Sequence, residues 1–329
     1  AGGGVAAPAA PLSGGPPPPP PPNPHNTQPW RFTIAADAIT LRPDPARRTP
    51  VVDPDDHHLW VSLGCATENL VLAAAAYGRR AEAFVDERGG AVDAALSPMA
   101  PVRSPLFAAI PQRQSTRAEY DGQPLPAAEL RALESTASGP GVHVLLLTDR
   151  ARIDTLTDFV TEGNSAQLRD PAFVAELKQW IRFGDAEALA TRDGLAARST
   201  GNPSIPRWLG SLIFGFVVGE KSENDRIARQ LRSSAGVAVF VAEAESHAHW
   251  LEVGRAYQRF ALLAASLGIR TAFLNQPVEV PAVRTQFAQW LTGGARPNLV
   301  VRFGRGPLLP PSLRRPVDDV IGGPQALRA

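Results

Sequence analysis

The chain has 329 residues, 44% of them hydrophobic and 20% charged, which is typical of a globular protein with one large or two medium domains. The net charge of +1 gives no basic surface for nucleic acid, so we expect no nucleic-acid partner. The single cysteine, Cys65, excludes an intrachain disulfide and a cysteine zinc cluster, and its apolar surroundings predict an inert core residue.

The first 24 residues predict a disordered or extended tail, because they include seven consecutive prolines at 16–22. The tail has neither a basic start nor a continuous apolar segment, so it does not resemble a signal peptide. The chain begins with alanine, which leaves an exported precursor open. No stretch of the sequence predicts a membrane span, and we expect a cytoplasmic protein with no membrane partner.

The first predicted elements follow the sequence HNTQPWRF at residues 25–32. Polar amides beside a tryptophan most often form a capped turn, and a binding site at the mouth of a strand is the alternative. A hairpin is predicted from 32–34 and 39–41. The next element is a helix from Leu59 to Tyr77 that is apolar nearly all round, which predicts a buried helix. Residues 79–103 predict a strand and a turn.

The rest of the chain predicts helices and short buried strands in alternation. The helices are at 127–136, 151–167, 171–182 and 250–267, and the strands are at 142–147, 237–241, 272–274 and 299–303. Residues 184–225 instead predict an irregular, lid-like insertion, because they mix Gly and Pro with Trp208 and the apolar run 212–214.

Two of the predicted helices are similar in sequence. Residues 61–80 align with residues 251–270 without a gap. The seven identical pairs are Gly64/Gly254, Ala66/Ala256, Leu72/Leu262, Ala74/Ala264, Ala75/Ala265, Gly78/Gly268 and Arg80/Arg270. Alanine-rich helices can agree by chance, but each of these is also preceded by a turn and a strand. A duplicated α+β unit is the simplest interpretation.

Several common site patterns are absent from the sequence. It contains no GxSxG, P-loop or GxGxxG motif after a strand, which argues against a serine hydrolase, an ATP-binding protein or a Rossmann dehydrogenase. His57 and His58 are adjacent, so their side chains should point apart. His247 and His249 could share a strand face but lack a third ligand nearby. We therefore expect no metal site.

Three short basic or amide-rich motifs remain: RQSTR at 113–117, NQPVE at 275–279 and RRP at 314–316. Paired arginines around a hydroxyl suit a phosphate, because the guanidinium fork matches phosphate oxygens. Each motif alone is more often a surface charge cluster or a capped turn.

Taken in order, PHNTQPWRF, RxSTR, WLEVGRAYQR, FLNQPVEVP and RRPVDDVI resemble the nitroreductase family of FMN proteins. The closer resemblance is to its double-length, Acg-type branch in actinobacteria, and it extends from Pro24 to Ile321. It implies an α+β, nitroreductase-like fold in which two fused pseudo-repeats mimic a homodimer. The expected parts are a tail at 1–24, a first half at 25–110 and a second half at 111–329 that carries the insertion.

The resemblance also implies one composite FMN site, with residues from both halves. The expected cofactor-binding residues are His25, Asn26 and Gln28 from the first half, and Arg113, Ser115, Arg117, Gln276, Pro277, Val278, Glu279, Arg314 and Arg315 from the second. The reciprocal site lacks its motifs, so one FMN per chain is expected.

Within this site the resemblance assigns separate roles. Arg113 and Ser115, with Arg314 or Arg315, should hold the phosphate. Arg117 should lie near the flavin N1–C2=O edge, where a cation stabilises the charge of reduced flavin. The backbone of 278–280 should face the flavin N5, although Val280 departs from the small residue common in the family. The polyproline run also departs from it, because a helix is usual there.

The implied function is an FMN-dependent oxidoreductase that passes two electrons through flavin N5 to a nitro or quinone-like acceptor. NAD(P)H is the candidate donor, no side chain is predicted to be catalytic, and a monomeric pseudo-dimer is expected. One alternative is a protein that sequesters FMN beneath the 184–225 lid with little turnover. Another is an interaction protein displayed by its proline-rich tail.

Overall fold

A mixed sheet, an antiparallel sheet and two long helices organise the chain, in a computed structural model that describes residues 21–201, 204–210, 212 and 219–322. The predicted α+β class is confirmed. One long helix packs on the first sheet, the other packs on the second sheet, and the two helices pack against each other. One apolar core cluster therefore extends through both halves of the chain, and a second cluster lies within the second half.

The first sheet has five strands, in the spatial order β11-β1-β2-β4-β3. The strands are β1 (Trp30–Ile34), β2 (Ala38–Pro43), β3 (Arg79–Asp86), β4 (Ala91–Pro98) and β11 (Ile321–Gly322). The second sheet has four strands, in the order β5-β8-β10-β9. They are β5 (Val142–Leu147), β8 (Gly236–Ala242), β9 (Arg270–Phe273) and β10 (Pro297–Gly304), and a small parallel pair is formed by β6 (Ile181–Arg182) and β7 (Leu195–Ala196).

The described helices lie between these strands. They are α1 (His57–Ala76), α2 (Pro105–Ala109), α3 (Ala127–Thr136), α4 (Arg150–Arg169), α5 (Pro171–Trp180), α6 (Asp185–Thr191), α7 (Glu220–Arg232), α8 (His247–Ser266), α9 (Gln276–Glu279) and α10 (Pro281–Thr292). The predicted helices and strands are all present, with ends that differ by a few residues. The sequence analysis did not predict the helices α2, α6, α7, α9 and α10.

The two sheets share one topology. In each, the first four strands along the chain adopt the order first-second-fourth-third, with antiparallel pairing throughout. In each, the long helix connects the second strand to the third. The halves differ in their other connections: the first sheet has short turns where the second sheet has α4 to α7 and α9 to α10.

The long helices α1 and α8 meet at a pair of glycines, Gly64 and Gly254. A Cβ atom on Gly64 would lie 2.0 Å from the carbonyl oxygen of Leu251, and one on Gly254 would lie 2.0 Å from the carbonyl oxygen of Val61. Val61 and Leu251 occupy matching positions in the aligned sequences, so the contact is reciprocal. The absence of side chains at both positions allows the two backbones to touch.

Helix α1 corrects the expectation that no segment could span a membrane. By length and composition His57–Ala76 meets the criterion, with a mean hydropathy of 1.4, but 61% of the apolar window is buried inside the protein. The apolar character of α1 therefore serves the core, where it contacts both α8 and the first sheet.

Two further expectations need revision. Residues 184–225 contain more regular structure than predicted, since they include α6, β7 and the start of α7. His247 and His249 lie in the first turn of α8 and not on a strand. In the predicted apolar run, Leu212 is exposed, and residues 213 and 214 lie outside the described residues.

The amino-terminal tail is described only from Pro21 onward. Pro21 and Pro22 are buried, and the Asn23 side chain donates a hydrogen bond to the Pro21 carbonyl oxygen at 3.1 Å. The folded part of the chain therefore begins before residue 24, the predicted end of the tail, whereas residues 1–20 lie outside the described residues.

Candidate functional site

A cavity of about 260 Å³, here called the junction cavity, lies where the two halves meet. The first half contributes residues 22–25 and the start of α1, including His58 and Cys65. The second half contributes Arg117, the end of β9 and faces of α4 and α7. Because neither half closes the cavity alone, its shape depends on how the halves pack.

The turn that carries HNTQ has a strained backbone. His25, Asn26 and Gln28 have φ angles of 48°, 56° and 54°, in the left-handed region that non-glycine residues rarely adopt. Such conformations cost about 1–3 kcal/mol each and are concentrated at functional sites. The strain places the His25 side chain in the lining of the junction cavity. Burial lowers the pKa of His25 to about 4, with Arg117 and His58 adding to the effect, so its imidazole is neutral.

The amides of this turn point to other segments of the protein. The Asn26 side chain donates to the carbonyl oxygens of Gly194 at 3.0 Å and Leu313 at 3.1 Å. The Gln28 side chain donates to the Arg192 carbonyl at 3.0 Å and accepts from the Arg315 amide at 2.9 Å. The resemblance implied that these amides border a flavin. In the structure both amides connect this turn to two other segments, residues 192–194 and residues 313–315.

Replacing Asn26 with alanine should destabilise the protein by about 2–3 kcal/mol, from two lost buried hydrogen bonds and the left-handed backbone. Asn26→Gly removes the same bonds but tolerates the positive φ, so it should be about 1 kcal/mol more stable than Asn26→Ala. Urea denaturation of both variants measures the difference. Equal stabilities would contradict the proposed backbone strain at this position.

The RQSTR segment lies along the edge of the second sheet. Ser115 forms a parallel bridge with Thr271, and the Thr116 amide donates to the Thr271 carbonyl at 2.9 Å. Arg302 on β10 is fully buried and donates to the carbonyl oxygens of Ala118 at 2.8 Å and Thr116 at 3.3 Å. Arg302 therefore anchors the loop that carries Arg117.

Three arginines line one part of the junction cavity: Arg117, Arg226 and Arg302. Burial, together with the charges of Arg226 and Arg302, lowers the pKa of Arg117 to about 10. Arg226 forms an ion pair with Glu223, one turn earlier in α7. A cluster of like charges in a cavity favours an electron-rich ligand group. The sequence analysis missed Arg226 and Arg302, whose neighbours in the sequence form no recognisable motif.

A second cluster of cations lies beside this cavity. Arg113 is 2% exposed, and burial lowers its pKa. Burial lowers the pKa of Arg314 to about 9, and the charge of Arg113 adds to the effect. The Cys65 thiol lines the cavity, and the nearby charge of Arg113 acts to lower the pKa of this thiol, which burial raises. Two neighbouring guanidinium groups, one buried and one partly buried, form a site suited to a dianion such as a phosphate.

Arg315 faces a different environment from Arg314. Its guanidinium donates to the Asp319 carbonyl at 2.7 Å, and its charged neighbours include Arg47 and Asp44. Of the two arginines that could complete a phosphate site, the geometry favours Arg314.

Helix α9 carries the four predicted residues at 276–279. The side chains of Gln276 and Glu279 line the junction cavity, while Pro277 and Val278 are buried. The amides of 278, 279 and 280 donate to main-chain carbonyls within this short helix, at 2.8, 2.9 and 3.1 Å. A hydrogen bond from one of these amides to the flavin N5, as the resemblance implies, would therefore have to replace a hydrogen bond of the helix.

A further cavity of about 320 Å³, here called the side cavity, lies behind the junction cavity. Its polar lining is formed by Asp53, Asp55, His57, His58, Glu279, Arg284 and Arg296. No cluster of histidine, cysteine and carboxylate side chains suited to a metal ion occurs among the described residues.

Comparison with known proteins gives related proteins but no family assignment. No protein-family profile matches the chain. Three structures align with TM-scores of 0.39, 0.42 and 0.39: nitroreductases with bound FMN from Bacteroides fragilis and Desulfitobacterium hafniense, and an FMN-dependent nitroreductase from Mycobacterium smegmatis in complex with NADPH. Their identities are 17%, 15% and 14%, and they cover 64%, 67% and 59% of this chain and 95%, 98% and 84% of their own.

Two curated sequences from Mycobacterium tuberculosis, strains CDC 1551 / Oshkosh and ATCC 25618 / H37Rv, are similar over a longer range. Each is 26% identical over 317 residues, which span 92% of this chain and 88% of the relative. Both carry the name "Putative NAD(P)H nitroreductase". The chain is thus similar, over nearly its whole length, to proteins named as nitroreductases.

Proposed function

We propose that this protein is an FMN-dependent oxidoreductase of the nitroreductase type, of the double-length, Acg-type branch. The observation that supports it most is the composite junction cavity, with one arginine cluster in its lining and another beside it. An FMN molecule has an electron-rich ring edge and a dianionic phosphate. The cluster in the cavity lining would stabilise charge on the ring edge, and the cluster beside the cavity would neutralise the phosphate. The similarity to the mycobacterial nitroreductases points in the same direction.

In this proposal Arg113 and Arg314, with Ser115, hold the phosphate of FMN. Arg117, with Arg226 and Arg302 behind it, faces the electron-rich pyrimidine edge of the ring. A fixed cation there stabilises negative charge without reorganisation, because it is already in place before electrons arrive. The bound FMN would supply two-electron transfer between NAD(P)H and a nitro or quinone-like acceptor.

The apolar lining of the junction cavity would exclude water from the ring. Phe173 and Leu177 on α5 line it, together with Leu195 on β7. Trp208, which the sequestration hypothesis places over the flavin, is 71% exposed and is not among the described residues that line the cavity. Reaction with external NAD(P)H and a nitroaromatic acceptor, followed by absorbance, distinguishes turnover from sequestration.

The two halves support a pseudo-dimer with a single site. The shared strand order and the reciprocal glycine contact are the arrangement that two copies of one unit would form. The phosphate-binding residues come only from the second half. We also propose that the chain acts as a monomer, in the cytoplasm.

The purified protein should be yellow and should release about one FMN per chain on heating. The reason is that the arginine motif occurs once and the HNTQPW turn occurs once. Flavin absorbance of the heat supernatant, divided by protein concentration, measures the ratio. A ratio near two would contradict the pseudo-dimer, and a colourless protein that takes up no added FMN would contradict the function itself.

A further inference from the structure

The junction cavity and the side cavity share two lining residues, His58 and Glu279. His58 lies at the start of α1, in the first half, and Glu279 lies at the end of α9, in the second. Their facing atoms, His58 Nε2 and Glu279 Oε1, are 3.7 Å apart. The two side chains therefore form a partition between the cavities, and both groups can carry a proton.

Each member of this partition is held so that one atom faces the other. The second carboxylate oxygen of Glu279 accepts a hydrogen bond from the Gln167 side chain at 2.7 Å. The main-chain amide of His58 donates to Asp53 at 2.9 Å, which fixes the start of α1. His58 Nε2 is buried and has no hydrogen-bond partner in the described protein. A small movement, or one bridging water, would complete a link between His58 and Glu279.

The proposed reaction needs a proton inside the junction cavity. Reduction of a nitro compound by a reduced nicotinamide follows NAD(P)H + H⁺ + R–NO₂ → NAD(P)⁺ + R–NO + H₂O. Both electrons and one hydrogen come from the nicotinamide. The second hydrogen is a proton from solvent; one N–O bond breaks, and the oxygen leaves as water. Reduction of a quinone to a quinol takes up one proton in the same way.

We propose that Glu279 and His58 form a proton relay that connects the side cavity to the junction cavity and supplies this proton during acceptor reduction. The relay rests on the proposed flavin function. The side cavity is large enough and polar enough to hold several ordered waters, since one water needs only about 10–15 Å³. A proton can then reach Glu279 without crossing the apolar side of the junction cavity.

The charges around the pair are consistent with this role. Burial raises the pKa of Glu279, although His58 and the Gln167 hydrogen bond act in the opposite direction. Burial lowers the pKa of His58. The other titratable or charged groups that face the pair are His25, Asp53, Asp55, His57, Glu176, Arg284 and Arg296. The shift in Glu279 favours a protonated carboxyl group that can act as the donor.

The test separates the two half-reactions of Glu279→Gln in anaerobic stopped-flow experiments. The amide keeps a hydrogen bond to Gln167 but cannot relay a proton. Reoxidation by a nitroaromatic should slow by about tenfold or more, the scale of general acid catalysis. Flavin reduction by NAD(P)H should stay within twofold. The wild-type reoxidation rate should fall as pH rises and Glu279 loses its proton, whereas the variant rate should be independent of pH.

A second measurement does not depend on activity. Histidine NMR of the FMN-loaded oxidised protein should show the His58 ring resonances of wild type shifting as Glu279 loses its proton, and this shift should be absent in Glu279→Gln. His58→Gln provides a second variant with the same expected kinetic split. Glu162→Gln is the control: Glu162 is exposed on α4 and lines neither cavity, so the reoxidation rate of this variant should change less than threefold.

Three results would overturn the relay: unchanged reoxidation in Glu279→Gln, equal slowing of both half-reactions, or loss of bound FMN. Loss of FMN would assign Glu279 to cofactor binding. If the proposed flavin function were wrong, the wild-type protein itself would bind no FMN, or its FMN would not be reduced by NAD(P)H. These results differ from the three that would overturn the relay.

Discussion

Replacing Gly64 with alanine should destabilise the protein by about 3 kcal/mol, because the new Cβ would overlap the Leu251 carbonyl oxygen at 2.0 Å. The obstructing atom belongs to the backbone of α8, so no side-chain rotation can relieve the overlap. The two helices would have to separate along a contact that joins the halves. Chemical denaturation with FMN absent measures the loss directly.

The reciprocal geometry makes a second, stricter prediction. Gly254→Ala should cost about as much as Gly64→Ala, since its Cβ would meet the Val61 carbonyl at the same distance. The double variant should cost less than the sum, because helices already separated by one Cβ accommodate the other more easily. Gly219→Ala is the control, since its Cβ would meet only a side-chain oxygen at 3.4 Å. A small effect of Gly64→Ala would mean that the helices are not in backbone contact.

Replacing Arg113 with methionine should weaken FMN binding by about 2 kcal/mol or more, roughly 30-fold, if this guanidinium pairs with the phosphate. The FMN-free protein should be as stable as wild type or more stable. The reason is that a buried cation close to Arg314 is replaced by an apolar side chain of similar length. Loss of affinity without loss of stability identifies a ligand-binding residue and distinguishes it from a structural one.

Fluorescence titration of FMN and denaturation of the FMN-free protein are the two measurements. Arg314→Met should behave like Arg113→Met. Arg315→Met is the matched control from the adjacent position. It should keep most of the affinity, because the charged groups that act on the Arg315 guanidinium are Arg47, Asp44, Asp319 and Arg31, and Arg113 is not among them. Unchanged affinity in Arg113→Met would remove this residue from the phosphate site, and equal losses at 314 and 315 would contradict the assignment of Arg314 alone.

The sequence by itself determined the local elements and the order of the motifs. Long apolar runs predicted α1 and α8, and Gly78 and Gly268 end these helices with φ angles of 76° and 72°, which glycine accepts most easily. The alignment of the two helices predicted a repeat, and the equivalent glycines are the residues that touch. The helix predictions succeeded because helical periodicity and turn chemistry depend on neighbouring residues.

Only the tertiary structure decided which polar groups share a site. Arg302 follows Arg117 by 185 residues in the sequence, yet Arg302 anchors the loop that carries Arg117. Arg314 and Arg315 are adjacent and equivalent in sequence, but one lies beside Arg113 and the other does not. Asn26 and Gln28, which the resemblance places beside the flavin, hydrogen-bond to the C-terminal segment at Leu313 and Arg315. The partition formed by His58 and Glu279 exists only because the halves pack together. Residues that are distant in the sequence come together when whole helices and strands pack. A local sequence pattern does not determine which faces of these elements will be in contact.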